Sequence, residues 1–562
     1  MNCIRLAAVL CSIFITCPSL AATQLYFNTN GYTLTGQPGA DAKLKEFSVL
    51  VVADGRIVAV GGDELKQRYA EADQKVDLNG KTVLPGITDA HGHVLGLGDY
   101  LLQADLREAT SAQDAVARVA SYATANEQQP WIIGRGWNQE NWPDRTFPTA
   151  SMLDEVIQQR PVWLTRVDAH AGWANSKALE LAGITADTMD PDGGEIVRDA
   201  DGNPTGVLID NAMNLVDRIR PIPSAQQLGA SFERAFEHLL ARGITGVHDA
   251  GISAAELSVY KQLAADKQLP VRVYGMLAAT EPRLPELLAE GPVTTPDESF
   301  TVASVKIYAD GALGSRGAAL LEPYSDADDQ MGLMVTSEQG IEELYDLVIP
   351  AGFQINIHAI GDRANRIALD QFERAYETMG GRNLRHRIEH AQVVHPDDLK
   401  RFKSLNVIAS MQPTHATSDK NMAEDRLGKA RMEGAYAWQT LLEQGTIIAA
   451  GSDFPVELAN PFFGLHAAVT RQDRDNNPAG GWYAHEQMTL PQALRAFTLD
   501  AAYASGQEQS LGSLEPGKWA DFIVLEQDPF SVNSTILWQT DVLATYVAGE
   551  KRYSRSNSDN NE

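Results

Sequence analysis

Residues 84–94 read LPGITDAHGHV, an apolar run that ends in two histidines one residue apart. In an extended strand, residues i and i+2 face the same side. His91 and His93 therefore aim their rings in one direction, a geometry that suits two nitrogens on one metal ion. A polar strand end with solvated histidines fits the same stretch, so the decision lies in what surrounds it. Seven further runs have the texture of strands: 243–251, 271–277, 304–311, 353–361, 385–391, 407–413 and 446–455. Longer amphipathic stretches separate several of them, among them GDRANRIALDQFERAYETMG and AAELSVYKQLAADK. Apolar strands alternating with helices predict α/β architecture with a parallel sheet. Eight such strands predict a (β/α)8 barrel of the TIM type over 86–505.

The flanks read differently. FSVLVVADGRIVAVGG near the start and LEPGKWADFIVLEQDPF near the end alternate short apolar runs with turn signals. Neither buries a core alone, so 22–85 and 506–555 are expected to combine into one small β-sandwich domain. About 150 residues separate the first two barrel strands. They hold WIIGRGW, VWLTRVDAH and a turn-rich hairpin, and predict an insertion over about 100–235 that folds across the barrel mouth. Residues 1–21 have a short basic start, an apolar run from Leu6 and a small-x-small site at Ser19 and Ala21. This is a secretory signal pattern, which predicts export to the periplasm or medium. All three cysteines, Cys3, Cys11 and Cys17, fall inside it. A mature chain without cysteine has no disulfide, thiolate ligand or cysteine nucleophile. The polar end over 556–562 is expected to be disordered. A net charge of −28 opposes binding to nucleic acid and anionic membranes, and no stretch has membrane-spanning length. The partner expected is a small-molecule substrate, with a homo-oligomer left open.

Barrel active sites are assembled from strand tips at the C-terminal end. The polar residues there are His91 and His93 on the first strand, Lys306 on the fourth, His358 on the fifth, His390 on the sixth and Asp453 on the eighth. A lone histidine in an apolar run is usually a core residue, but six such groups at the tips of one barrel point to a site. The motifs PGITDAHGHV, VDAHAGWANSKAL, SVKIYADGALGSRGAAL, INIHAIGDRAN, RIEHAQ and GSDFPV together resemble the metal-dependent amidohydrolase superfamily. Within it they are similar to the amidohydrolase family 3 branch that includes N-substituted formamide deformylases. The resemblance spans nearly the whole mature chain. It is specific to the superfamily and much less so to a substrate.

The resemblance implies that His91, His93 and Asp453 hold one divalent metal and that His358 and His390 hold a second. Lys306, carboxylated by CO2, would bridge the two; an ordinary buried amine paired with Asp310 is the other reading of that lysine. Imidazole and carboxylate ligands without thiolates suit Zn2+, the ion expected, as well as Mn2+, Fe2+ or Co2+. The implied reaction is hydrolysis of a non-peptide carbon–nitrogen bond of amide, formamide or N-acyl type by metal-bound hydroxide. The resemblance implies that Asp453 is the catalytic acid and base. Candidate substrate contacts are His170 and Trp137 in the insertion, Arg316 after the fourth strand and Gln412 after the seventh; Trp137 fits the insertion core equally well, Arg316 fits a pair with a nearby acid, and Gln412 fits a role in satisfying backbone. His248, at the end of the second strand, is placed behind the ligands. The G-x-S-x-G nucleophile signature is absent. A lactone or other ester hydrolase on the same site, and a metal-binding regulatory protein without turnover, are the rival readings.

Overall fold

The computed structural model describes residues 22–36, 38, 43–221 and 224–555. The expected leader and tail lie outside these residues. Eight parallel strands form the central sheet: Ile87–Gly92, Ile244–Ile252, Arg272–Ala278, Phe300–Tyr308, Gln354–Ala359, Arg387–His390, Ile408–Met411 and Ile448–Ala450. Their order in the sheet follows the chain. All eight coincide with the runs read from the sequence, and helices fill the crossovers, so the molecule is a (β/α)8 barrel. The helix Asp362–Thr378 shows why. It buries Ala364, Ala368, Leu369, Phe372 and Ala375, spaced by three and four or next to one another, so one face meets the sheet. Phe372 is fully buried, which contributes about 1.5–3 kcal/mol.

The eighth and first strands meet through one bridge, Gly92 with Phe454. The Asp453 N–H donates to His91 O at 2.7 Å, and the His93 N–H to Phe454 O at 2.8 Å. Gly451 makes this closure feasible: a Cβ there would lie 2.5 Å from the His91 nitrogen. The barrel thus closes through the segments that carry the candidate ligands.

Both chain ends share one eight-stranded sheet, joined where Thr82–Pro85 pairs antiparallel with Phe522–Leu525. The sheet folds back on itself, and Tyr26 packs edge-on against Phe522 and Tyr546 at 5.1 and 5.5 Å. Arg272, at the start of the third barrel strand, ties this sheet to the barrel through Asp521 at 2.6 and 3.1 Å. Between the first two barrel strands a separate six-stranded sheet runs from Ala104 to Asp210. Its core is built on Trp137, Trp142, Leu164 and Trp173. Arg426, after the seventh barrel strand, reaches Glu140 of this insertion at 2.7 Å and holds it over the barrel mouth. No helix among the described residues is long and apolar enough to cross a membrane.

Candidate metal centre and cavity

His91 is the penultimate residue of the buried first strand, and His93 continues its extended backbone one residue beyond the end (φ −130°, ψ 90°). Their rings lie 5.5 Å apart. Asp453 follows the eighth strand at φ 59°, a left-handed conformation that turns its carboxylate onto the pair. Its Oδ1 lies 3.1 Å from His93 Nε2 and 3.5 Å from His91 Nε2. Asp89 fixes the turn by accepting from the Ser452 amide at 3.0 Å and the Ser452 hydroxyl at 2.7 Å.

Lys306 is fully buried on the fourth strand, with Nζ 3.0 Å from His91 Nε2 and 4.9 Å from the Tyr308 ring. Asp310 is not its partner: that carboxylate accepts from the amides of Ala319, Ile360 and Gly361 at 2.8–2.9 Å. On the fifth strand, His358 packs 4.5 Å from the His390 ring and 5.3 Å from the His170 ring, with Nε2 3.4 Å from Asp310 Oδ1. His390 ends the sixth strand at φ 73°, and its Nδ1 meets Gln412 Oε1 at 2.8 Å. His415, on the helix Pro413–Asp419, stacks on His390 at 5.8 Å and stands 3.7 Å from Asp453 Oδ2.

Two groups of donor atoms therefore converge on one carboxylate: His91, His93 and Asp453, and His390, His415 and Asp453. The second group includes His415, which the sequence reading did not place at the site, while His358 Nε2 stands 3.4 Å from Asp310 Oδ1. His358 Nε2, His415 Nε2 and Asp453 Oδ1 are buried without a hydrogen-bond partner. Burial pushes His91 down to about 4, with Lys306 adding to the effect. It also holds His358 and His390 well below the ordinary imidazole range. Burial opposes ionisation of Asp453, but the surrounding histidines, His91 foremost, outweigh it and keep the carboxyl well below its usual range. Neutral imidazoles around an ionised carboxylate, with orphaned donors, are the donor set a divalent cation such as zinc requires. Lys306, pushed down to about 8 by burial, faces the same His91 nitrogen.

Sequence reading missed the group that aims His91. Its Nδ1 is hydrogen-bonded to Glu389 Oε2, which leaves Nε2 for the site. Glu389 lies 2.8 Å from Arg387 Nε. Burial opposes its ionisation, but Arg387 and then His91 outweigh it and hold it well below the usual range. Arg387 is fully buried and also donates to Ala90 O at 2.6 Å and Ser410 Oγ at 2.7 Å, with Nη1 2.8 Å from His248 Nδ1. His248 thus stands behind the ligands.

A cavity of about 920 Å3 opens above the ligands, between the barrel and the insertion. His170 lines it, with Nδ1 2.6 Å from Asp210 Oδ1. Burial opposes protonation of this ring, but Asp210 outweighs it and raises the imidazole. Three expected substrate contacts lie elsewhere. Trp137 is fully buried in the insertion core, its indole N–H donating to Leu164 O at 2.8 Å. A register shift between Arg135 and Trp137 leaves Arg135 at the cavity wall instead. Arg316 pairs with Asp326 at 2.9 Å, outside the main cavity. Gln412 is spent on orienting His390.

A parallel barrel with histidine and aspartate donors at its C-terminal end, roofed by an insertion, defines a metal-dependent hydrolase. A solved structure of an uncharacterized metal-dependent hydrolase from Pyrococcus horikoshii superposes with a TM-score of 0.73 at 28% identity, covering 91% of this chain and 99% of that one. The chain belongs to the amidohydrolase family, whose model matches residues 74–553. Protein LONG AFTER FAR-RED 3 of Arabidopsis thaliana is 36% identical over 541 residues, 93% of this chain and 91% of that protein. N-substituted formamide deformylase of Arthrobacter pascens is 28% identical over 536 residues, 92% and 97% of the two chains.

Proposed function

We propose that this hydrolase cleaves a non-peptide carbon–nitrogen bond of the amide or N-acyl type, with Asp453 as the acid and base. The observation that carries this reading is the shared carboxylate: Asp453 stands within 3.1–3.7 Å of His93, His91 and His415 on the cavity floor. The similarity to a formamide deformylase supports the bond type. His91, His93 and Asp453 would hold one cation, and His390, with His415 or His358, a second. A bound divalent cation, with zinc the ion expected, supplies Lewis acidity, lowering the pKa of water to about 7 and polarising a carbonyl.

The chain's own residues do the rest. Asp453, kept ionised, accepts the proton that the attacking water loses and returns it to the leaving nitrogen. The C–N bond breaks, and the acyl carbon gains the water oxygen. Glu389 holds the His91 ring with Nε2 forward, and Gln412 does the same for His390. Lys306 as a cation would repel a second metal; reaction with CO2, with loss of two protons from the ammonium, would convert it into an anionic carbamate ligand beside His91.

Elemental analysis of the purified protein and of a Lys306→Ala variant tests the reading. Two metals per chain, falling in the variant, are expected, together with turnover of N-acyl amines and formamides. An unchanged metal content in the variant removes the bridging role. Turnover of lactones with none of amides moves the activity to esters.

A further inference from the structure

The chain carries 74 acidic and 46 basic residues, so a guanidinium inside it has carboxylates in excess to choose from. Two arginines at the cavity wall choose none. Arg107 and Arg135 both line the cavity, half-buried, and neither forms an ion pair among the described residues. Each is anchored by a single nitrogen on a main-chain carbonyl: Arg107 Nη2 on Pro455 O, and Arg135 Nη2 on Val167 O at 3.1 Å. The Nε of each is buried without an acceptor. Arg107 also stacks on Tyr100 at 4.6 Å. Adjoining backbone sets the two side by side: the Leu106 N–H donates to Arg135 O at 2.9 Å, and a Cβ on Gly136 would lie 2.8 Å from the Arg107 nitrogen. Their place is beside the reaction centre, since Pro455 is two residues from Asp453, whose charge acts on Arg135.

Two neighbouring guanidinium groups in a half-enclosed wall, fixed and without an ion-pair partner among the described residues, are costly unless an anion completes them. Of the acids whose charge reaches Arg135, Asp168 is engaged by Arg166 and by the His170 N–H at 3.1 Å, and Asp453 by the histidines around it. Two further acids lining the cavity are hydrogen-bonded within the protein, Asp99 to Ser231 and Asp249 to Tyr260. We infer that Arg107 and Arg135 form a carboxylate-binding subsite, so that the substrate is an amide bearing a carboxylate, such as an N-acylated amino acid. The substrate class rests on the hydrolase reading above; the subsite itself does not. Guanidinium forks suit a planar carboxylate, and the carboxylate belongs either to the amine or to the acyl half of the amide.

Two matched pairs separate these sources. N-acetylphenylalanine against N-acetylphenethylamine places the carboxylate on the amine side. N-phenylsuccinamic acid against N-phenylbutanamide places it on the acyl side. The holoenzyme is expected to favour the charged member of one pair about 10- to 100-fold in kcat/KM, chiefly through KM. Arg135→Met and Arg107→Met should bring that ratio close to one, with Arg135→Lys between. Calorimetry with phenylacetate against phenylacetamide reads the subsite without turnover, and metal content and melting temperature confirm each variant as folded. A ratio near one in the wild type, or a preference for carboxylate that survives both methionine variants, overturns the subsite while amide turnover keeps the hydrolase reading. Phenylacetate binding that depends on both arginines, with no amide hydrolysed, supports the subsite and overturns the amide reading.

Discussion

Asp453 and His390 both hold left-handed backbone, at φ 59° and 73°, where a residue other than glycine loses about 1–2 kcal/mol. Replacement of Asp453 by Asn keeps a donor atom but removes the base; turnover should fall by about 10²- to 10⁴-fold while part of the metal stays bound. Wild-type kcat in that variant would refute the role. Glu389→Gln weakens the grip on His91, and metal affinity, read by chelator competition, should fall about 10- to 100-fold. His91 and His93 were legible in the sequence because they are neighbours along one strand. Glu389 was not: strand alternation sends residues 389 and 390 to opposite faces, and only the positive φ of His390 brings both inward. His415 was hidden for a related reason, since it reaches the site from the helix after the seventh strand and not from a strand tip.

The elements themselves were largely readable. Each barrel strand is a compact apolar run bounded by turn signals, and a fully buried strand advertises itself that way. The faces inside the insertion were not, because the shift between Arg135 and Trp137 exchanges which side chain looks outward. Trp137 thus lies in the insertion core and Arg135 at the cavity wall, which the sequence pattern does not show. Another element-scale device is the tie between the fifth and sixth strands, where the Ile355 N–H donates to His386 Nδ1 at 2.9 Å. That ring is stacked on Phe372 at 5.1 Å, and burial pushes it down to about 3. A depressed folded value means that the unfolded chain takes up the proton first, below its ordinary pKa of about 6.5. The stability contributed is complete above pH 6.5 and is lost as pH falls. The stability gap between wild type and His386→Asn, measured by urea unfolding, should be constant above pH 6.5. It should narrow by up to about 1.4 kcal/mol per unit below it. A gap that widens on acidification would contradict the assignment.

At the scale of the whole molecule, the insertion is held over the mouth by few strong contacts. Arg426 bridges Glu140 at 2.7 Å and Asp326, with Gly314 O at 3.2 Å. Replacing Arg426 by Met leaves Glu140 without its guanidinium partner, while Asp326 keeps Arg316, costing about 1–3 kcal/mol in this partly exposed setting. Amide exchange over residues 104–210 should quicken relative to the barrel strands, and KM should rise. Equal protection in both would show that the bridge does not hold the roof. The sharing of one sheet by the two ends has a temporal consequence. Residues 82–85 pair with residues 30–31 on one edge, but their other edge finds its partner only when 522–525 exist, about 440 residues later. At about 5–20 residues per second, synthesis leaves the early strands with an open edge for roughly 20–90 s. An unpaired apolar edge invites other chains. The newborn protein thus depends on whatever shields that edge until its own terminus arrives.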